Sequence, residues 1–121
     1  KIAFFGAGRS DSDEEMAYIQ GLLVANNGGA GNVQSGQLAF GTSGLEAMRI
    51  DNNGNVGIGT SLPNSSAILD VQSTTKGLRF PNMTTTQKNA MADVAGVQVF
   101  DTTLGKMCFN TGSAWETMTS S

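Results

Sequence analysis

The 121-residue chain has no histidine, the side chain that most often serves as general base or metal ligand near neutral pH. A serine or cysteine nucleophile would therefore need some other activator. Cysteine occurs once, at Cys108, so no intrachain disulfide forms. Its neighbours Met107 and Phe109 favour a buried thiol over a reactive one. Charge is scarce as well: Asp, Glu, Lys and Arg make up 14% of the chain, against about a quarter in an average domain. The seven basic residues are scattered and the net charge is −3, so the clustered Lys and Arg that a phosphate backbone demands are missing. No apolar run approaches the roughly 20 residues of a membrane-spanning helix, and no signal peptide is present. A start at Lys1 without Met is expected of a fragment or a processed product. A missing export signal then carries no information on location.

What the chain does have is glycine, at 16 positions, together with frequent Ser, Thr and Asn. This neutral, polar, β-leaning composition suits sugars and crowded protein contacts better than nucleic acid. Residues 51–60, Asp-Asn-Asn-Gly-Asn-Val-Gly-Ile-Gly-Thr, are the most informative stretch. They predict a turn and then a strand with Val56 and Ile58 on one face, because successive side chains alternate. Gly57 and Gly59 leave the other face bare, and glycine inside a strand marks close approach by another backbone or a ligand. Tight wrapping of several chains around one another would meet that description. Burial between subunits would also supply what a glycine- and alanine-rich single-chain core lacks.

Along the chain, strands are expected at residues 2–5, 18–24, 37–40 and 47–50, with Leu38 and Phe40, then Met48 and Ile50, sharing faces. Asn53-Gly54 predicts a two-residue hairpin with positive φ. Residues 63–66 form the expected boundary between a module at 1–62 and a module at 67–121. In the second, strands are expected at residues 68–71, 78–80, 97–100, 106–109 and 114–118. Thr84 and Gln87 have capping-box spacing, placing one short helix near residues 85–92 that Gly96 would close.

Several motifs imitate chemistry and fail on spacing. Gly6-Ala7-Gly8 begins like a dinucleotide fingerprint, but Asp11 stands where the third glycine belongs. The turn at 51–55 resembles a calcium loop, yet its glycine comes at the fourth position, and Leu62 falls where the bidentate carboxylate belongs. The acids at 11, 13, 14 and 15 read as a solvated loop, with calcium coordination the sharper alternative. No catalytic or metal-ligating set and no cofactor site follows from the sequence. A glycan-degrading site would need two carboxylates across one cleft, and Asp101 and Glu116 are the only acids near an aromatic in the second module. Trp115 stands beside Asn110, Thr111, Gly112 and Ser113. An aromatic face framed by amide and hydroxyl groups suits stacking on a sugar ring or holding a peptide; the alternative is a core anchor. Trp115, Asn110, Thr111, Ser113 and Glu116 are accordingly the candidate ligand-binding residues.

Met48-Arg49-Ile50-Asp51, followed by Gly54-Asn55-Val56-Gly57-Ile58-Gly59-Thr60 and Pro63, resembles a recurring stretch of bacteriophage tail-fibre and related trimeric fibre proteins. The segment from Gly77 through Pro81 to Gln87, then residues 96–101 and 110–116, is similar to the distal part of such fibres and to mosaic adhesive trimers of predatory bacteria. The resemblance implies a mainly β, intertwined parallel homotrimer: an interleaved shaft-like module at 1–62 and a compact β-rich tip at 67–121. Its partners would be two identical chains and a cell-surface glycan or protein receptor, with no membrane insertion. It implies non-enzymatic adhesion or recognition outside the cell, on a virion tail fibre or a bacterial surface fibre; a purely structural trimerisation module is the alternative. The Trp115 strand would lie near the tip. The peptidase-like chaperone domain of many tail fibres is not among these residues.

Overall fold

A computed structural model of the protein describes residues 1–5, 15–25 and 35–119. The Gly6-Ala7-Gly8 turn, nearly all of the acidic loop and the Asn-Gly run at 26–29 lie outside them. The chain divides into two units, Lys1–Lys76 and Gly77–Ser121. This division falls later than the break at residues 63–66 that composition suggests. The reason is that the strand after that break returns to the first sheet rather than starting the second unit.

The first unit is one six-stranded sheet in sequence order. Its strands are β1 (Ile2–Phe5), β2 (Glu15–Ala25), β3 (Ser35–Thr42), β4 (Leu45–Ile50), β5 (Val56–Ile58) and β6 (Leu69–Val71). Neighbours run antiparallel as far as β5, and β6 adds in parallel. The two-residue turn with positive φ occurs at Ser43-Gly44 (φ 52° and 72°), between the paired residues Thr42 and Leu45. At the expected Asn53-Gly54 site only Gly54 has positive φ. Gly54 N–H donates to the Asp51 carbonyl (3.1 Å) and Asp51 N–H to the Asn55 carbonyl (2.9 Å), which makes a three-residue loop.

Asp51 explains that longer loop. Its Oδ1 accepts the backbone N–H groups of Asn53 (2.8 Å) and Asn55 (2.9 Å), and its Oδ2 accepts from the Asn55 amide (3.2 Å). Partial burial pushes the Asp51 carboxyl up, but these hydrogen bonds outweigh it and hold the group below the usual carboxylate range. The acid of the calcium-loop look-alike is an internal turn acceptor.

The bare glycine face is filled from within the chain. A Cβ at buried Gly57 would lie 2.6 Å from the Thr60 carbonyl oxygen and 3.4 Å from Pro63 Cδ. A Cβ at Gly59 (φ 73°) would collide with the Gln72 carbonyl oxygen. After β5 the chain folds back over its own glycines and returns as β6. Close approach to these glycines is thus made within the chain itself, by Thr60, Pro63 and Gln72.

The second unit has β7 (Asn82–Met83), helix α1 (Thr85–Asn89), β8 (Gln98–Asp101), β9 (Lys106–Asn110) and β10 (Trp115–Thr117). Its sheet order is β10-β9-β8-β7. The strand expected at 78–80 lies instead just past Pro81, which still accepts the Phe100 N–H through its carbonyl (2.9 Å) but has no N–H to give. The capping box forms as the spacing predicts: Thr84 Oγ1 accepts from Gln87 N–H (3.3 Å) and Gln87 Oε1 accepts from Thr84 N–H (2.9 Å). The helix is shorter than the span to residue 92 and ends at Ala90. The chain is then drawn to the sheet, where the Asn110 amide donates to Asp93 Oδ1 (2.9 Å). Gly96 (φ 88°) serves that later turn, its N–H donating to the Asn110 carbonyl (2.8 Å).

Candidate oligomer interface

The two faces of the four-stranded sheet differ in chemistry. Cross-strand register puts Val99, Asp101, Cys108, Asn110 and Trp115 on one face and Gln98, Phe100, Met107, Phe109 and Glu116 on the other. The first face is the core of the unit: Val99, Asp101, Cys108 and Asn110 are fully buried.

Lys88, on the last turn of α1, is buried in that core. Its Nζ lies 3.0 Å from Asp101 Oδ2, 3.7 Å from Cys108 Sγ and 5.6 Å from the centre of the Trp115 ring. Asp101 also accepts from the Thr85 hydroxyl (2.7 Å) and from the backbone N–H groups of Thr103 and Leu104 (3.0 Å each). Burial pushes the Asp101 carboxyl up, but the Leu104 N–H, the Thr85 hydroxyl and the Lys88 ammonium outweigh it and bring it to about 2. It is a fixed anion that closes the turn after β8 and pins α1 to the sheet.

The five candidate ligand-binding residues do not form one open cluster. Asn110 is fully buried, its amide donating to Asp93 and its Oδ1 accepting from Gly112 N–H (2.7 Å), unlike the exposed position expected of a ligand contact. The Thr111 hydroxyl bridges the turn, accepting from Ala114 N–H (3.2 Å) and donating to the Ala114 carbonyl (3.1 Å). Trp115 is half-buried, turned toward Lys88, and its indole Nε1 is buried with no hydrogen-bond partner among the described residues. Ser113 and Glu116 are exposed, Glu116 on the opposite face from Trp115.

The opposite face carries what the sequence reading missed. Phe100 and Met107 are cross-strand partners there, and Phe109 is flanked by Gln98 and Glu116. With Leu78, Arg79, Phe80 and Asn82, Phe100 and Met107 line an open cleft of about 480 Å³. Leu78 is 58% exposed. The signal was present in the strands themselves. Val99-Phe100 and Met107-Cys108-Phe109 are apolar at successive positions, the pattern of strands covered on both faces. One cover is the α1 side; on the other, the segment at 78–82 covers the face only in part and leaves Phe80, Phe100, Met107 and Phe109 half-buried. A β-rich unit with a second apolar face only partly covered is the anatomy of an oligomerising module.

Comparison with known families agrees. The description "Phage tail like trimerisation region" matches residues 57–121, more than half of the chain and the whole of the second unit. The chain belongs to this family. No curated protein and no solved structure gives a significant match. Among the described residues no helix is long and apolar enough to cross a membrane.

Proposed function

We propose that this chain is a non-enzymatic structural module of an extracellular fibre, on a virion tail or a bacterial surface, in which three identical chains run in parallel around one axis. The observation that carries the reading is the partly covered aromatic face of the second unit, with the half-buried Phe80, Phe100, Met107 and Phe109 inside the segment that matches the trimerisation family. Three copies related by a closed rotation bury three such faces at once. Sedimentation or light scattering of the full chain should give three times its 12.5 kDa mass. Phe100→Asp with Phe109→Asp should dissociate it. A full-length chain that runs as a 12.5 kDa monomer at micromolar concentration overturns the reading.

Adhesion to a cell-surface glycan or protein receptor is the second reading, favoured by the half-buried Trp115, whose indole Nε1 has no hydrogen-bond partner among the described residues, and by the exposed Ser113 two residues before it in the chain. Threefold repetition would turn weak single sites into useful avidity. A glycan array probed with the parent chain and with Trp115→Ala decides it: loss of a binding profile supports the site, and an unchanged profile removes it.

A further inference from the structure

The six-stranded sheet has a continuous apolar face. Register aligns Ile2, Ile19, Phe40, Met48, Ile58 and Val71 into one row across all six strands. A second row, Leu38, Ile50, Val56 and Leu69, runs beside it. No rung of either row is charged. The opposite face is polar over the same strands, with Gln20, Arg49 and Asp70 in one row around Ala39 and Gly57. Arg49 is held there by both Glu46 oxygens and by Gln37 Oε1 (2.6 Å). Ala39, on the polar side, is nearly fully buried, while Ile2, Ile19, Ile58 and Val71 of the apolar row are wet, from 37% exposed at Ile19 to 62% at Ile2, and Phe40 and Met48 between them are half-buried. An apolar surface of this extent on one side of a sheet marks an interface.

We infer that this face is a second interface of the fibre, occupied by the equivalent sheets of two further copies of the chain. The inference rests on the trimeric reading above. Its own support is continuity. Ile58, Leu69 and Val71 lie within the matched trimerisation segment. They share rows with Ile2, Ile19, Leu38, Phe40, Met48, Ile50 and Val56, which lie outside it. Hydrogen bonding makes these rungs one surface, so a contact that covers one end of a row extends along it. A face without charge on any rung sets no demand for a complementary ion, as fits packing against identical faces around a threefold axis.

The test places the photo-crosslinking residue benzoylphenylalanine at position 19 or 48 of the full chain, with position 20 on the polar face as control. Each protein is weighed by light scattering, irradiated and run on a denaturing gel. The inference expects trimeric mass, and covalent dimers and trimers from positions 19 and 48 but not from position 20. Trimeric mass with no intermolecular product from either 19 or 48 overturns this inference and leaves the trimer standing; the face is then covered within its own chain. Equal products from position 20 overturn the choice of face. A monomeric mass for the unsubstituted chain removes the trimer and this interface with it.

Discussion

Lys88 Nζ sits 3.0 Å from Asp101 Oδ2 with both side chains buried, the ammonium coming from the helix and the carboxylate from the end of a strand. This contact joins the only helix among the described residues to the sheet. It turns a charged residue on a five-residue helix into part of the core.

Acid should unfold the second unit through Asp101. Its carboxyl is lowered from 3.8 to about 2, so the folded state binds the proton more weakly than the unfolded state. The resulting stabilisation is complete above the unfolded value and is lost as pH falls from about 4 to about 2. Unfolding midpoints measured across that range should fall steeply for the parent chain and more gently for Asp101→Asn.

Removing only the cation should be worse than removing both charges. Lys88→Met leaves Asp101 buried without its counter-charge, and breaking one side of a buried pair is strongly destabilising. The double variant Lys88→Met, Asp101→Asn should recover part of the lost unfolding midpoint. Additive losses in that cycle would show the two residues to be energetically independent.

The capping box has a smaller, separable effect. Thr84→Ala removes the hydroxyl that accepts the Gln87 N–H and should cost about 1 kcal/mol in urea denaturation. Thr84→Ser, which keeps the acceptor, should stay close to the parent.

Two glycines with similar φ should respond differently to alanine. Gly54 (φ 85°) has open space where a Cβ would go, so Gly54→Ala should cost about 1 kcal/mol, from backbone strain alone. Gly59 (φ 73°) would drive its Cβ into the Gln72 carbonyl oxygen. Strain and collision together should make Gly59→Ala the worse of the two by at least about 1 kcal/mol. Equal losses would mean that the Gln72 strand yields easily.

Local chemistry made much of the fold readable in advance. Thr84 and Gln87 named the helix start, because a capping box needs only residues three apart. Alternation located β3 and β4, since the period of two is a property of each strand alone. Turn chemistry was readable in kind but not in detail. Asn53-Gly54 looked like the two-residue turn, yet the carboxylate of Asp51 captured two N–H groups and lengthened the loop. Ser43-Gly44 carried the tight turn instead. Of the expected ligand residues, Asn110 has a burial that was not legible, because an amide beside a turn looks the same in sequence whether it faces water or Asp93.

By itself, the sequence determined that the protein is β-rich, has a capped short helix and holds a glycine-lined strand, because each of these follows from residues close together along the chain. Only the tertiary structure decided which surfaces matter. Pairing aligned Ile2, Ile19, Phe40, Met48, Ile58 and Val71 into one row, put Phe100 beside Met107 and brought Lys88 to Asp101. Those relationships join residues far apart in the chain, and long-range register and burial set them, not local propensity.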